Sequence, residues 1–481
     1  MGMSQIFSQG AVAPRRVLVA LVAVLLVSLP FVATPASGKP KPPVSFKLVA
    51  SASPDRTSPT PLQNRVVTAA AHVFVAPAEG IRSIRYLVDG KPFGGRKGFN
   101  TLSLGHGTHV AEAEIRLSSG GRTTARARFT VEHLFVAATG SDAAGCAAAR
   151  PCLTLDRAYH KAVPGQVVEL VGGRYGEQTI SADPSKSSAS DVVFRPVKGA
   201  SVSIGSVYVN GKHFSLQDVS VDSVDFYDSA DDVTFRNVVM RGFWIWSASN
   251  ISILGGAVGP LLDVVPYVAY GKSQVAPRQI LIDGVLFHDI QRSSESVHAE
   301  CLMVSGGDGV TIRNSRFTRC AVMDLFFTSW SGPAEPKNVV LENNFFDAPA
   351  SGGVYALAFK GDGRRYENFL IRNNSFGASI DLSQDAAHVN TRVVANVGPL
   401  GSHQCHQQAA YSYNVWTRAR CGKNDRQAAS GFVDPAKFNL HLSPGSRAIN
   451  AGSPNAFPAR DIDGQRRPLG KRPDAGADEA R

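Results

Sequence analysis

The sequence predicts an all-β chain, a small β-sandwich followed by a parallel β-solenoid, and two observations carry that prediction. From Val44 to about Glu132, segments such as HVFVAP, SIRYLVDG and ARARFTV alternate apolar and polar residues, as strands with one buried face do. Further on, DVTFRNVVM, NISILGGAV, QILIDGVLF, GVTIRNSRF, NVVLENNFF and NFLIRNNSF share one template. Their leading apolar residues Val233, Ile251, Ile280, Val310, Val339 and Phe369 stand 18, 29, 30, 29 and 30 residues apart. One strand signature per repeat at such a period marks a solenoid, whose coils bury their inward faces only against neighbours.

The first element is a processing segment. Arg15 and Arg16 precede the apolar run VLVALVAVLLVSLPFVA, and small residues follow in ATPASG. A charged start, an apolar middle and a small-residue exit predict a secretory signal peptide over residues 1–38, cleaved near Ala36 to Gly38. No second apolar span follows, so the mature protein is expected without a membrane span. The six cysteines fall as local couples, Cys146 with Cys152, Cys301 with Cys320 and Cys405 with Cys421. Export makes disulfides the default, and no couple has the short spacing of a zinc cage. Net charge is +11, or +9 once Arg15 and Arg16 are removed (11 − 2). The basic residues are scattered, so no nucleic-acid partner is expected, whereas a basic exported surface suits an acidic glycan.

The second element, residues 44–132, has turn pairs at Asp89-Gly90, Gly94-Gly95 and Gly120-Gly121. Its VDG turn and the step from Leu102 to His109 resemble the immunoglobulin-like modules that accompany secreted bacterial enzymes. His106 and His109 lack further ligands and are read as structural.

The third element runs from Phe135 to the C-terminus. It opens with FVAATGSDAAGCAAARPCLTLDRAYHKAVPGQVVELVGGRYGEQTI, where LTLDRAYHKAV has helical spacing and Pro164-Gly165 ends it. This segment resembles the opening coil of secreted right-handed parallel β-helix proteins of the pectate-lyase-like superfamily, with Gln166 in place of the usual acid. The ending, with its LSPGSRAINAG and DIDGQRRP elements, resembles the ending of the same proteins and is read as a cap on the last coil. Asp461 and Asp463 before Gly464 are read as a turn, since a calcium loop needs a further bidentate acid downstream. Asn237, Asn314, Asn343, Asn344, Asn373 and Asn374 recur where the chain bends, because Asn tolerates left-handed backbone and its amides can bond along a stack.

Candidate chemistry lies in HAECLMV and the coils after it. Strands stacked about 4.8 Å apart would set Glu300, Asp324 and Asp381 in an acidic column, with His298 in the phase of Glu300. Such a column can act as a glycosidase pair, or hold calcium while Lys360 or an arginine removes a sugar proton, or work with His298 in proton abstraction. It can equally be a set of satisfied edge groups. In FWIWS, Trp244 and Trp246 share one face of a strand and Phe243 and Ile245 the other, and the sequence leaves open which pair is inward. Outward tryptophans would form a stacking platform for sugar, and Trp330, Tyr267 and Tyr270 lie in longer inter-coil segments, where solenoids place binding surfaces, with Trp330 and Tyr267 as further substrate-binding candidates.

The resemblance implies an extracellular polysaccharide as partner, with lyase or hydrolase activity and calcium as the possible cofactor; a non-catalytic glycan-binding, adhesion or structural protein is the rival. A monomer is expected.

Overall fold

The computed structural model describes residues 44–53, 55–347, 355–401 and 405–480. The expected signal peptide lies outside the described residues. Residues 46–481 form one compact unit.

Two sheets make its first part. Lys47–Ser51, His72–Ala76 and two shorter strands form one; Ile81–Val88, Gly107–Leu117, Arg122–Val131 and two shorter strands form the other. Alternation decides which side chains meet between them: Ala125, Ala127, Phe129 and Val131 are buried, while Arg122, Arg126 and Arg128 face out. Leu48, Val73 and Val75 from the opposite sheet complete one apolar core. His109 is held by Asp89 (2.7 Å) and the Gly105 carbonyl (2.9 Å), a structural role.

The remainder is a parallel β-helix with two long sheets of 13 and 18 strands among the described residues. The repeat residues stack as the spacing predicts: Val233 pairs with Ile251, Ile280 with Val310, Val310 with Val339, and Val339 with Phe369. All six are buried. On the second sheet Phe287, Phe317, Phe346 and Phe376 stack with centroids 4.6, 4.7 and 5.1 Å apart, close to the rung spacing. The short first spacing has a structural cause. The coil of Val239–Trp246 uses one unbroken strand, whereas the next splits it into Ala257–Val258 and Tyr267–Ala269, with a bulging segment between.

The asparagines divide into two roles. Asn314, Asn343 and Asn373 adopt positive φ (52°, 62° and 50°) at the bends. The next residue in the later pairs carries an interior ladder: Asn344, Asn374, Asn396 and Asn414 each donate to the following side-chain oxygen at 2.9 to 3.1 Å, ending on Asp425.

The helix Leu155–Lys161 is capped by the Thr154 hydroxyl and buries Leu155, Ala158 and Tyr159 against the first coils. Gln166 folds its amide oxygen back onto the Val163 N–H (3.1 Å). The two-sheet part is tied on by Arg195, which donates to the carbonyls of Leu102 and Leu104 (both 2.8 Å) and to Glu169 (3.2 Å). All three expected disulfides are present.

The C-terminal segment does not sit where an end cap would. It packs along the flank of several coils, through Arg467 to Asn343 (3.1 Å) and Ala477 to Ser375 (3.1 Å). The buried pair Arg467–Glu479 (3.3 Å) fixes it. Asp461 accepts from the N–H groups of Asp463 and Gln465, which is the turn reading.

Candidate functional site

The strand Val239–Trp246 settles the open question of FWIWS. Phe243 and Ile245 are wholly buried, so Trp244 and Trp246 face outward. Strand register then extends the outward row: Tyr208 pairs with Asp225, Asp225 with Trp244, Trp244 with Tyr267, and Tyr267 with Met303. Met303 pairs with Phe326, Phe326 with Ala358, and Ala358 with Asp381. The rings of Trp246 and Tyr267 lie 6.1 Å apart, and those of Tyr267 and Trp330 5.7 Å. Trp330 is 56% exposed and points its indole N–H at the Met303 sulfur (2.8 Å). Beside Trp246 opens a cleft of about 690 Å³, walled by Tyr227, Tyr270, Asp228 and Lys272. Gly271 lets the cleft close: a Cβ there would meet Asp228 at 2.3 Å.

Polar groups hold the rings in place. Trp244 donates to the Val265 carbonyl (2.9 Å) and Trp246 to the Asp225 carboxylate (3.0 Å). Burial pushes the Asp225 carboxyl up, and the Trp246 N–H partly offsets this. Burial also raises the Tyr267 phenol, with the Glu300 carboxylate adding to the effect.

The expected acidic column does not form. Leu302 pairs with Leu325, which sets Asp324 level with Cys301 and leaves Glu300 one residue out of step. Asp381 belongs to the outward row through its pairing with Ala358. Glu300 and Asp324 are both wholly buried, so neither carboxylate faces a surface ligand. Lys360 sits in a turn and pairs with Asp362 at 3.0 Å. One part of the cluster does assemble: Glu300 meets His298 Nδ1 at 3.0 Å, and the His298 side chain is 70% exposed. A buried carboxylate at Nδ1 orients the ring and turns Nε2 to solvent.

Asp225, Tyr208, Tyr227 and Met303 were not singled out from sequence. The signal for Asp225 was there: SVDFYDSADDV sits one repeat before FWIWS, with Asp225 at the position of Trp244. Two further groups outside this face bring metal-ligand types together, Asp191–His213–Asp232 and His441–Asp463–Asp478. In each the histidine is already bonded to an aspartate at 2.7 Å.

No protein-family model and no curated protein matches the chain. Among solved structures it is similar to pectate lyase Pel9A, at 13% identity over 73% of this chain and 97% of that one, with a TM-score of 0.33. It is also similar to the family 28 exopolygalacturonase of Yersinia enterocolitica, at 9% identity over 73% and 90%, with a TM-score of 0.32. A rhamnogalacturonan lyase matches at 13% identity over 63% and 90%, with a TM-score of 0.29. The β-helix assignment rests on the strand registers of this chain. Among the described residues no helix is long and apolar enough to cross a membrane.

Proposed function

We propose that this chain is an exported polysaccharide-active protein that seats an extended glycan along the outward face formed by Trp244, Trp246, Tyr267 and Trp330. The outward setting of both tryptophans, continuous with Tyr267 and Trp330, carries this reading. Rings on one face offer large flat apolar area at little entropic cost, which suits the apolar faces of sugars. Rungs about 4.8 Å apart present that area along the solenoid, so the glycan runs across coils. Three disulfides agree with an oxidising compartment.

A second reading adds catalysis, and the His298–Glu300 pair favours it. In β-elimination on a uronate, His298 Nε2 takes the C5 proton and the electron pair forms the C4–C5 double bond. The C4–O4 bond breaks, and the leaving oxygen gains a proton from the Tyr267 phenol, which burial keeps protonated. The test is a panel of neutral and acidic polysaccharides run with the purified mature chain. Retention by affinity electrophoresis reads binding; ultraviolet absorbance of unsaturated uronate and new reducing ends read elimination. Retention without absorbance leaves the binding function alone, absorbance lost in His298→Ala establishes the lyase, and the absence of both refutes the proposal.

A further inference from the structure

Each coil enters its first-sheet strand through one bend residue, and strand pairing sets these residues in a column. Asp191 stands level with His213, since Val192 pairs with Phe214, and His213 stands level with Asp232, since Phe214 pairs with Val233. In the coils that follow, the same position turns neutral, with Asn250 next and Asn338 and Asn368 further along. Amides satisfy such a column by themselves, because each both donates and accepts; Asn368 donates to Asn338 at 2.8 Å. The first three coils cannot do this. A carboxylate only accepts, and a neutral imidazole has one N–H to give. His213 gives its Nδ1–H to Asp232 (2.7 Å). Nothing is left for Asp191, whose carboxylate accepts no hydrogen bond among the described residues. Burial, and then Asp232, push the Asp191 carboxyl up to about 6, with His213 opposing. Among the described residues no lysine or arginine forms an ion pair with either acid.

The three side chains are close enough to share one ion. A ligand atom of each lies within 4.8 Å of those of the other two. Ligands of a tetrahedral zinc ion sit roughly 3.3 Å apart, so side-chain rotation that opens the His213–Asp232 contact and draws Asp191 inward completes the set. We infer that Asp191, His213 and Asp232 form a site for a divalent ion of the zinc class, with one ligand from each of three successive coils. An imidazole nitrogen beside carboxylate oxygens suits such an ion, whereas calcium seeks an all-oxygen shell. The fourth position falls to water, and the side chains of His213 and Asp232, 17% and 45% exposed, leave a path from solvent. The ion supplies the positive charge that the bend column lacks here and ties three coils together. The inference does not rest on the glycan reading.

The test uses the full untagged chain, stripped with a chelator and titrated with zinc chloride in a calorimeter, beside thermal melts with and without zinc. The expected result is saturable binding and a melting midpoint several degrees higher with zinc, since an ion bound by the folded chain alone stabilises it. His213→Gln should abolish that shift. Asp191→Asn should weaken zinc at least about tenfold, the lower bound for losing even an outer-shell partner. It removes no hydrogen bond, so it decides by itself if the His213 variant does not fold. His441→Gln, in the other histidine cluster, should leave the zinc response unchanged. No heat and no shift would overturn the inference and leave a protonated His213 as the counter-charge between the two acids. A response undiminished in Asp191→Asn and His213→Gln, or lost in His441→Gln, would overturn it by placing the ion elsewhere.

Discussion

Trp246 donates its indole N–H to Asp225, 3.0 Å away on the preceding coil, so a ring of the platform is fastened by a carboxylate of the neighbouring row, the one Trp244 belongs to. Ring area and ring orientation can therefore be separated by substitution. Trp246→Phe keeps an aromatic face and removes the donor; Trp246→Ala removes both. Glycan retention should fall by about tenfold in Trp246→Ala, corresponding to the ~1.4 kcal/mol of one stacked ring. Trp246→Phe should lose only about two- to threefold. Affinity electrophoresis on the panel above measures both.

The asparagine ladder predicts a large stability effect far from that face. Asn374 is wholly buried and accepts from the Asn344 N–H (3.1 Å) while donating to Asn396 (3.0 Å) and to the Leu341 carbonyl (3.0 Å). Asn374→Leu strands those partners without water. At ~1–3 kcal/mol per unsatisfied group, the chain should lose at least about 3 kcal/mol in urea unfolding, with no change in glycan retention if the variant folds.

The flank-packed C-terminal segment depends on a buried ion pair. Arg467→Ala leaves Glu479 enclosed and uncompensated, and breaking such a pair by removing one partner costs about 3–5 kcal/mol. Limited proteolysis should then cut within residues 461–479 first, whereas Arg174→Ala, which breaks an exposed pair with Asp222, should leave the pattern unchanged.

Asp347 gives a pH prediction of definite sign. Its folded pKa of about 7 lies above the ordinary carboxylate value near 3.9, so the folded state holds the proton more tightly. Its contribution to stability is full below about pH 4 and is lost as pH rises through about 7. Asp347→Asn should show a smaller fall in melting midpoint between pH 5 and pH 8 than the parent.

Much of the fold was legible because inward positions repeat. Val233 to Phe369 could be read as a stacked column from spacing alone, since each must be apolar to close its coil. The three local cysteine pairs were readable for a similar reason, the short sequence separation of their partners. The candidate site was less so. Whether Trp244 or Phe243 faces the core depends on strand phase, and the sequence FWIWS fits both phases. The acidic column failed for a related cause. The later coils split their second-sheet strands around segments of differing length, and the disulfide between Cys301 and Cys320 joins two successive ones. Register across such a segment is set by packing and cannot be counted from residue numbers, so a one-residue error moved Glu300 out of line with Asp324. The C-terminal segment was misplaced because an ending motif records what packs against the solenoid and not which side it covers.

The asparagine ladder also has a direction and a stop. Each amide donates to the next and accepts from the one before, so it can be continued indefinitely in one sense. Asp425 ends it: its carboxylate accepts from Asn414 and, through its other oxygen, from the N–H groups of Cys421 and Gly422, but has no N–H to pass on. A coil inserted before Asp425 with asparagine in this position would be read through, whereas an aspartate there would close the array early. The extent of the ladder, from Asn344 to Asp425, is thus written in single letters at one recurring position, as a count of whole coils and nothing between.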